Sequence, residues 1–93
     1  MKEIQIIPLQ DEQKQNIKLP EGSVIEGVTI AHDNGQGKAV PSLIVKVNKS
    51  TKDFDDREIM IYATGEKIDE FDLEYIGSLP TEDSMVHIYE NKN

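Results

Sequence analysis

The stretch Arg57-Glu58-Ile59-Met60-Ile61-Tyr62-Ala63-Thr64-Gly65 decides the fold. Ile59 and Ile61 share one parity, and Met60 and Tyr62 share the other. That period of two reads as a β-strand over 57–63, with the isoleucines inward. Isoleucine and tyrosine also fit a pleated surface well. Thr64-Gly65-Glu66-Lys67 then reads as a turn. Beyond it, residues 68–73 read as one helical turn, with Asp69, Glu70 and Asp72 at an exposed start. Strands follow at 74–79 and 84–90, separated by a turn at 80–83. In the last strand Val86 and Ile88 face one way, and Met85, His87 and Tyr89 face the other.

Toward the N-terminus, residues 49–56 form a charged loop. Residues 38–48 form a long strand with Leu43, Val45 and Val47 on one face and Ile44 and Lys46 on the other. Pro41 cannot donate a backbone hydrogen bond, so an edge or bulge position is expected for it. Asp33-Asn34-Gly35-Gln36-Gly37 is the clearest turn, because Asn-Gly tolerates positive φ. Residues 23–32 form its partner strand, with Val24, Val28 and Ile30 at one parity and Gly27 marking a bulge. Pro20-Glu21-Gly22 is a turn. Residues 16–19 are a short strand after a polar connection at 11–15. Ile4 and Ile6 alternate with Glu3 and Gln5 in a first strand ending near Pro8. The fold class expected is mostly β: a small antiparallel sandwich or partly open barrel of about six strands, with at most one short helical turn.

The 93 residues fit one domain, 1–93, with 1–90 folded and 91–93 a tail. A chain this short buries a modest share of its surface, and oligomerisation is a common remedy. There is no cysteine, which rules out disulfides and thiolate metal sites. The first residues, Met1-Lys2-Glu3-Ile4-Gln5, carry no apolar run of the signal-peptide kind. No stretch reaches the roughly 20 apolar residues of a membrane span. The cytoplasm is the expected compartment. The net charge of −8 disfavours binding to DNA or RNA polymers. Such a charge maintains solubility, or else imitates DNA toward a host protein.

No catalytic centre stands out. His32 and His87 are the only histidines, and no strained elbow surrounds Ser42, Ser78 or Ser84. Asp53-Phe54-Asp55-Asp56 lacks the glycine and distal glutamate of a calcium loop, so no metal is expected. Gly35-Gln36-Gly37-Lys38 hints at a phosphate cradle, but a hairpin turn explains it. Thr64-Gly65 is more interesting: a hydroxyl and a free amide after a strand carrying Tyr62 can hold a phosphate or a base edge. Met60, Tyr62, Met85, His87 and Tyr89 make a semi-polar aromatic surface. Such rings stack on bases or fill a subunit interface.

Four pieces of the chain, in order, carry a resemblance. They are Leu19-Pro20-Glu21-Gly22, Ile61-Tyr62-Ala63-Thr64-Gly65, Leu73-Glu74-Tyr75-Ile76-Gly77-Ser78 and Val86-His87-Ile88-Tyr89-Glu90. Together they resemble a family of short phage and prophage proteins. That family is similar to viral sponges that defeat cyclic-oligonucleotide immune signalling (anti-CBASS proteins). Leu43-Ile44-Val45 departs from the pattern, since relatives tend to have a Trp there. The resemblance implies a non-enzymatic homo-oligomer in the host cytoplasm that binds a cyclic dinucleotide or related signal without cleaving it and without a cofactor. It also implies site residues. Arg57, the only arginine, is first for phosphate because its fork binds bidentately, and Lys46 is second. Tyr62, Tyr75 and Tyr89 would stack, while Thr64, Gly65 and His87 would hydrogen-bond. The alternatives are an acidic inhibitor of a host protein and a small structural accessory protein.

Overall fold

The computed structural model describes residues 1–32 and 39–92. The turn expected at 33–37 and the Gly35-Gln36-Gly37-Lys38 hint lie outside them. Among the described residues there are seven strands: β1 (Lys2–Pro8), β2 (Lys14–Pro20), β3 (Val24–His32), β4 (Ala39–Asn48), β5 (Phe54–Ala63), β6 (Leu73–Pro80) and β7 (Met85–Asn91). They form two antiparallel sheets, β1-β4-β3 and β2-β5-β7-β6, with no closed barrel. The sandwich expectation therefore holds, with one more strand than the approximate count. β7 continues through Asn91, so the strand takes up the first residue of the expected tail.

The core is the set of inward parities from both sheets. Leu43, Val45 and Val47 of β4 meet Leu19, Ile59 and Ile88 across the sandwich, with Leu9 beside them. Burying one such side chain is worth about 1.5–3 kcal/mol. Close approach of the sheets has a sequence cause at Gly77. A Cβ there would lie 2.6 Å from Val28 Cγ2. Glycine permits β6 to pack on β3.

Two bulges redirect side chains. The register of β3 on β4 shifts between Ile25 and Gly27, as the glycine suggests. The shift also breaks the simple parity: Ile25 and Val28 pack inward, and Val24 turns outward. A second shift lies between Tyr75 and Gly77. Pro41 departs from expectation. It sits in central β4, opposite Ile30. Its carbonyl accepts the Leu9 N–H at 2.9 Å, so the missing donor falls just where β1 ends.

No helical turn forms at 68–73; that segment is irregular until β6 begins. Topology supplies the reason. β5 and β6 both run antiparallel to β7, so they are parallel to each other. Residues 64–72 travel back along the sheet and past β7, from the level of Val86 to that of Asn91, on a path that runs extended rather than coiled. No helix of the described residues is long and apolar enough to cross a membrane.

Candidate functional site

The outward faces of β5, β7 and β6 form one patch. Register places Tyr62 opposite His87 and Met60 opposite Tyr89. It places Tyr89 opposite Tyr75, and His87 opposite Ser78. The Tyr62 and Tyr89 rings meet edge-on at 6.0 Å and 72°. Tyr75 and Tyr89 are tilted at 5.4 Å. Such pairs add about 0.5–1.5 kcal/mol beyond area burial.

A chain of hydrogen bonds crosses the patch. Thr64 Oγ1 lies 2.8 Å from His87 Nε2. Ser78 Oγ lies 2.7 Å from His87 Nδ1 and 2.6 Å from the Tyr75 hydroxyl. A neutral imidazole donates from one nitrogen and accepts at the other. Hydroxyls on both sides can satisfy either tautomer. The geometry can polarise the Ser78 hydroxyl, but the second ring nitrogen meets a threonine hydroxyl rather than a carboxylate. An imidazolium there lacks the charged partner found in nucleophile–base triads.

Tyr62 is only 4% exposed although it points away from the core. Burial raises its phenol above the ordinary value, with Glu70, Asp69, Glu66 and Glu58 adding to the effect. Glu66, Asp69 and Glu70 lie within electrostatic reach of the buried ring, so the 64–72 segment straps the outer face. The strap is pinned at both ends. Thr64 N–H donates to the Met85 carbonyl at 3.1 Å, and Lys92 N–H to the Asp72 carbonyl at 2.9 Å. Gly65 has φ +96°, which suits the turn that starts the strap. Tyr75, in contrast, is 56% exposed and offers an open ring.

Six of the eight residues expected at a site thus sit together: Tyr62, Thr64, Gly65, Tyr75, His87 and Tyr89. Arg57 does not join them. It has the parity of Ile59 and Ile61 and lies between the sheets. Its Nη2 donates to Glu90 Oε1 at 2.9 Å and its Nη1 to the Ser23 carbonyl at 2.9 Å. Nε closes a second bond to the same carboxylate. Burial works against ionisation of Glu90, but Arg57 and then Lys92 outweigh it and hold the carboxyl below its ordinary value. The Glu90 hydrogen bond in turn raises the Arg57 guanidinium against its own desolvation. Lys46 faces outward on the other sheet, 3.6 Å from Glu26.

Sequence reasoning missed two members of the patch. Ser78 lies three residues from Tyr75, so simple alternation puts them on opposite faces. The bulge brings them to one face, and Gly77 inside a strand is its signal. Lys14 is the other. It pairs in register with Met60 on the outward face, and it is bridged to Glu58 at 3.7 Å. Lysine in a polar connection carried no signal of its own.

A separate cleft of about 760 Å³ opens at one end of the sandwich. Ile30, Val40, Ile61 and Val86 are among its walls, and Asp11, Glu12, Glu66, Glu82 and Asp83 stand around it. No cluster that could hold a metal ion occurs among the described residues.

The chain belongs to the family described as a domain of unknown function (DUF7352), whose model matches residues 1–93. No curated protein and no solved structure matches it.

Proposed function

We propose that this DUF7352 member is a non-catalytic binding protein that sequesters a small nucleotide signal of the cyclic-oligonucleotide class. The observation that carries the reading is the single face of Tyr75, Tyr89, His87, Ser78 and Thr64. The exposed Tyr75 ring stacks on a base, a contact worth about 1–3 kcal/mol. Hydroxyl and imidazole groups beside it bond to base edges. Phosphate falls to Lys14 rather than to Arg57, whose fork already holds Glu90. The Lys14–Glu58 bridge is long and its lysine end is exposed, and such bridges contribute little, so Lys14 is free to turn to a phosphate. The resemblance to phage sponge proteins supports the same reading and a host-cytoplasmic setting. The test is calorimetry with a panel of cyclic dinucleotides, repeated with Tyr75→Ala and Lys14→Ala. Tight binding with intact nucleotide recovered is expected. Tyr75→Ala should weaken it about tenfold or more. Altered nucleotide would make the protein an enzyme instead.

The cleft favours a second reading. Its apolar walls and acidic surround suit a basic segment of a protein partner, consistent with an inhibitor that acts on a host protein.

A further inference from the structure

Each sheet has two edge strands, and natural proteins blunt such edges with lysines, prolines and bulges. β2 carries Lys14 and Lys18 and ends at Pro20. β3 and β6 are both bulged, and they pack against each other. β1 is different. Its pairing to β4 is regular from Lys2 to Pro8. Ile4 is 54% exposed and Ile6 45%.

The backbone of β1 has a definite free side. Lys49 N–H donates to the Met1 carbonyl, and Leu9 N–H donates to the Pro41 carbonyl, both at 2.9 Å. Polar groups alternate sides along an antiparallel ladder. Odd-numbered residues therefore face β4. Lys2, Ile4 and Ile6 turn their N–H and C=O groups to the open edge, and Pro8 offers only its carbonyl there.

We infer that the β1 edge is a self-association surface, pairing antiparallel with β1 of a second copy about a two-fold axis at Ile4. This register sets Ile4 opposite Ile4 of the partner, and Lys2 opposite Ile6. Every open N–H from Lys2 to Ile6 then finds a carbonyl, and Pro8 lies outside the pairing. The two Ile4 side chains meet on one face, and each Lys2 stem covers an Ile6. Glu3 falls opposite Gln5, whose amide already donates to Glu3 within one chain at 3.0 Å. Charge favours this site over the rest of the molecule. The strand holds one lysine and one glutamate, and Lys49 bridges Glu3 at 3.3 Å. Two chains of net charge −8 meet here without opposing acids. The three-stranded sheet becomes a continuous six-stranded one. This inference stands independently of what the tyrosine face binds.

The test is light scattering on the full chain over a dilution series, with amide exchange followed residue by residue. Wild-type protein is expected to reach dimer mass. Ile4→Pro removes a donor that only the open edge uses, and Ile4→Lys sets two ammonium groups face to face. Both variants should fold and be monomeric. The Ile4 and Ile6 amides should exchange faster on dilution, while those of Glu3, Gln5 and Ile7 stay protected. A monomer at every concentration overturns the inference. So does a dimer that survives Ile4→Lys, or one in which the Ile4 and Ile6 amides exchange freely.

Discussion

β5 and β7 look two ways, and their two faces do different work. Inward, Arg57, Ile59 and Ile61 meet Val86, Ile88 and Glu90 in the layer between the sheets. Outward, Met60 and Tyr62 meet His87 and Tyr89 in a layer of rings and hydrogen bonds. Residues one step apart in the chain thus belong to different layers. Arg57 illustrates the consequence. Its chemistry suits phosphate, but its parity commits it to the core, where its side chain is 15% exposed and that of Glu90 6%.

The largest effect that can break this contrast is on the inner face. Arg57→Ala leaves the buried Glu90 carboxylate with Lys92, 3.3 Å away, as its remaining cation, which sets the loss at the low end of the range for a broken buried pair. Losing one partner of a buried pair costs about 3–5 kcal/mol. For a chain of this size each kcal/mol moves the melting point by about 4–8 °C. Thermal melting should show a fall of about ten degrees or more, in keeping with that pair of figures. Nucleotide affinity of the folded fraction should not change. A stable Arg57→Ala protein that loses only affinity would return the arginine to the site.

Next is the contact between the sheets. Gly77→Ala puts a methyl group 2.6 Å from Val28 Cγ2. Overpacking of this kind costs about 1–3 kcal/mol. Val28→Ala should relieve part of that cost in the double variant, which denaturant titration of the four proteins measures. Additive losses would mean that Val28 is not what Gly77 accommodates.

A pH titration sharpens the contrast further. Glu90 has its folded pKa lowered from 4.5. Its contribution is present above that value and is lost as pH falls through the lower folded value. Tyr62 has its folded pKa raised from 10.0. Its contribution is present below 10.0 and is lost as pH rises toward the higher folded value. Glu90→Gln should therefore flatten the acid limb of a stability profile, and Tyr62→Phe the alkaline limb. An unchanged acid limb in Glu90→Gln would deny the carboxylate its role.

The smallest effect on stability belongs to the open ring. Tyr75→Ala, at an exposed position, should cost less than about 1 kcal/mol. Its ring contact with Tyr89 sets the upper part of that range.

Much of this contrast was legible in the sequence, because alternation alone sorts β5 and β7 into two faces. Gly27 signalled its bulge for the same reason that it relaxes β3. What alternation cannot supply is the partner across a sheet. Glu90 is 33 residues from Arg57, and only the β5–β7 register joins them. Nor can it see past a bulge, which is why Ser78 was missed and Val24 was assigned with Val28. The 64–72 strap is a consequence of strand order, which Asp69, Glu70 and Asp72, read locally as a helix start, do not reveal.

The most direct test of the central claim is nucleotide binding read by thermal melting, with His87→Ala beside the wild type. His87 joins Thr64 and Ser78, so its removal dismantles the outward face while leaving the inner layer in place. The account predicts a melting shift for wild type with at least one cyclic dinucleotide, intact nucleotide on release, and little or no shift for folded His87→Ala. No shift with any nucleotide, or an equal shift in both proteins, would contradict it.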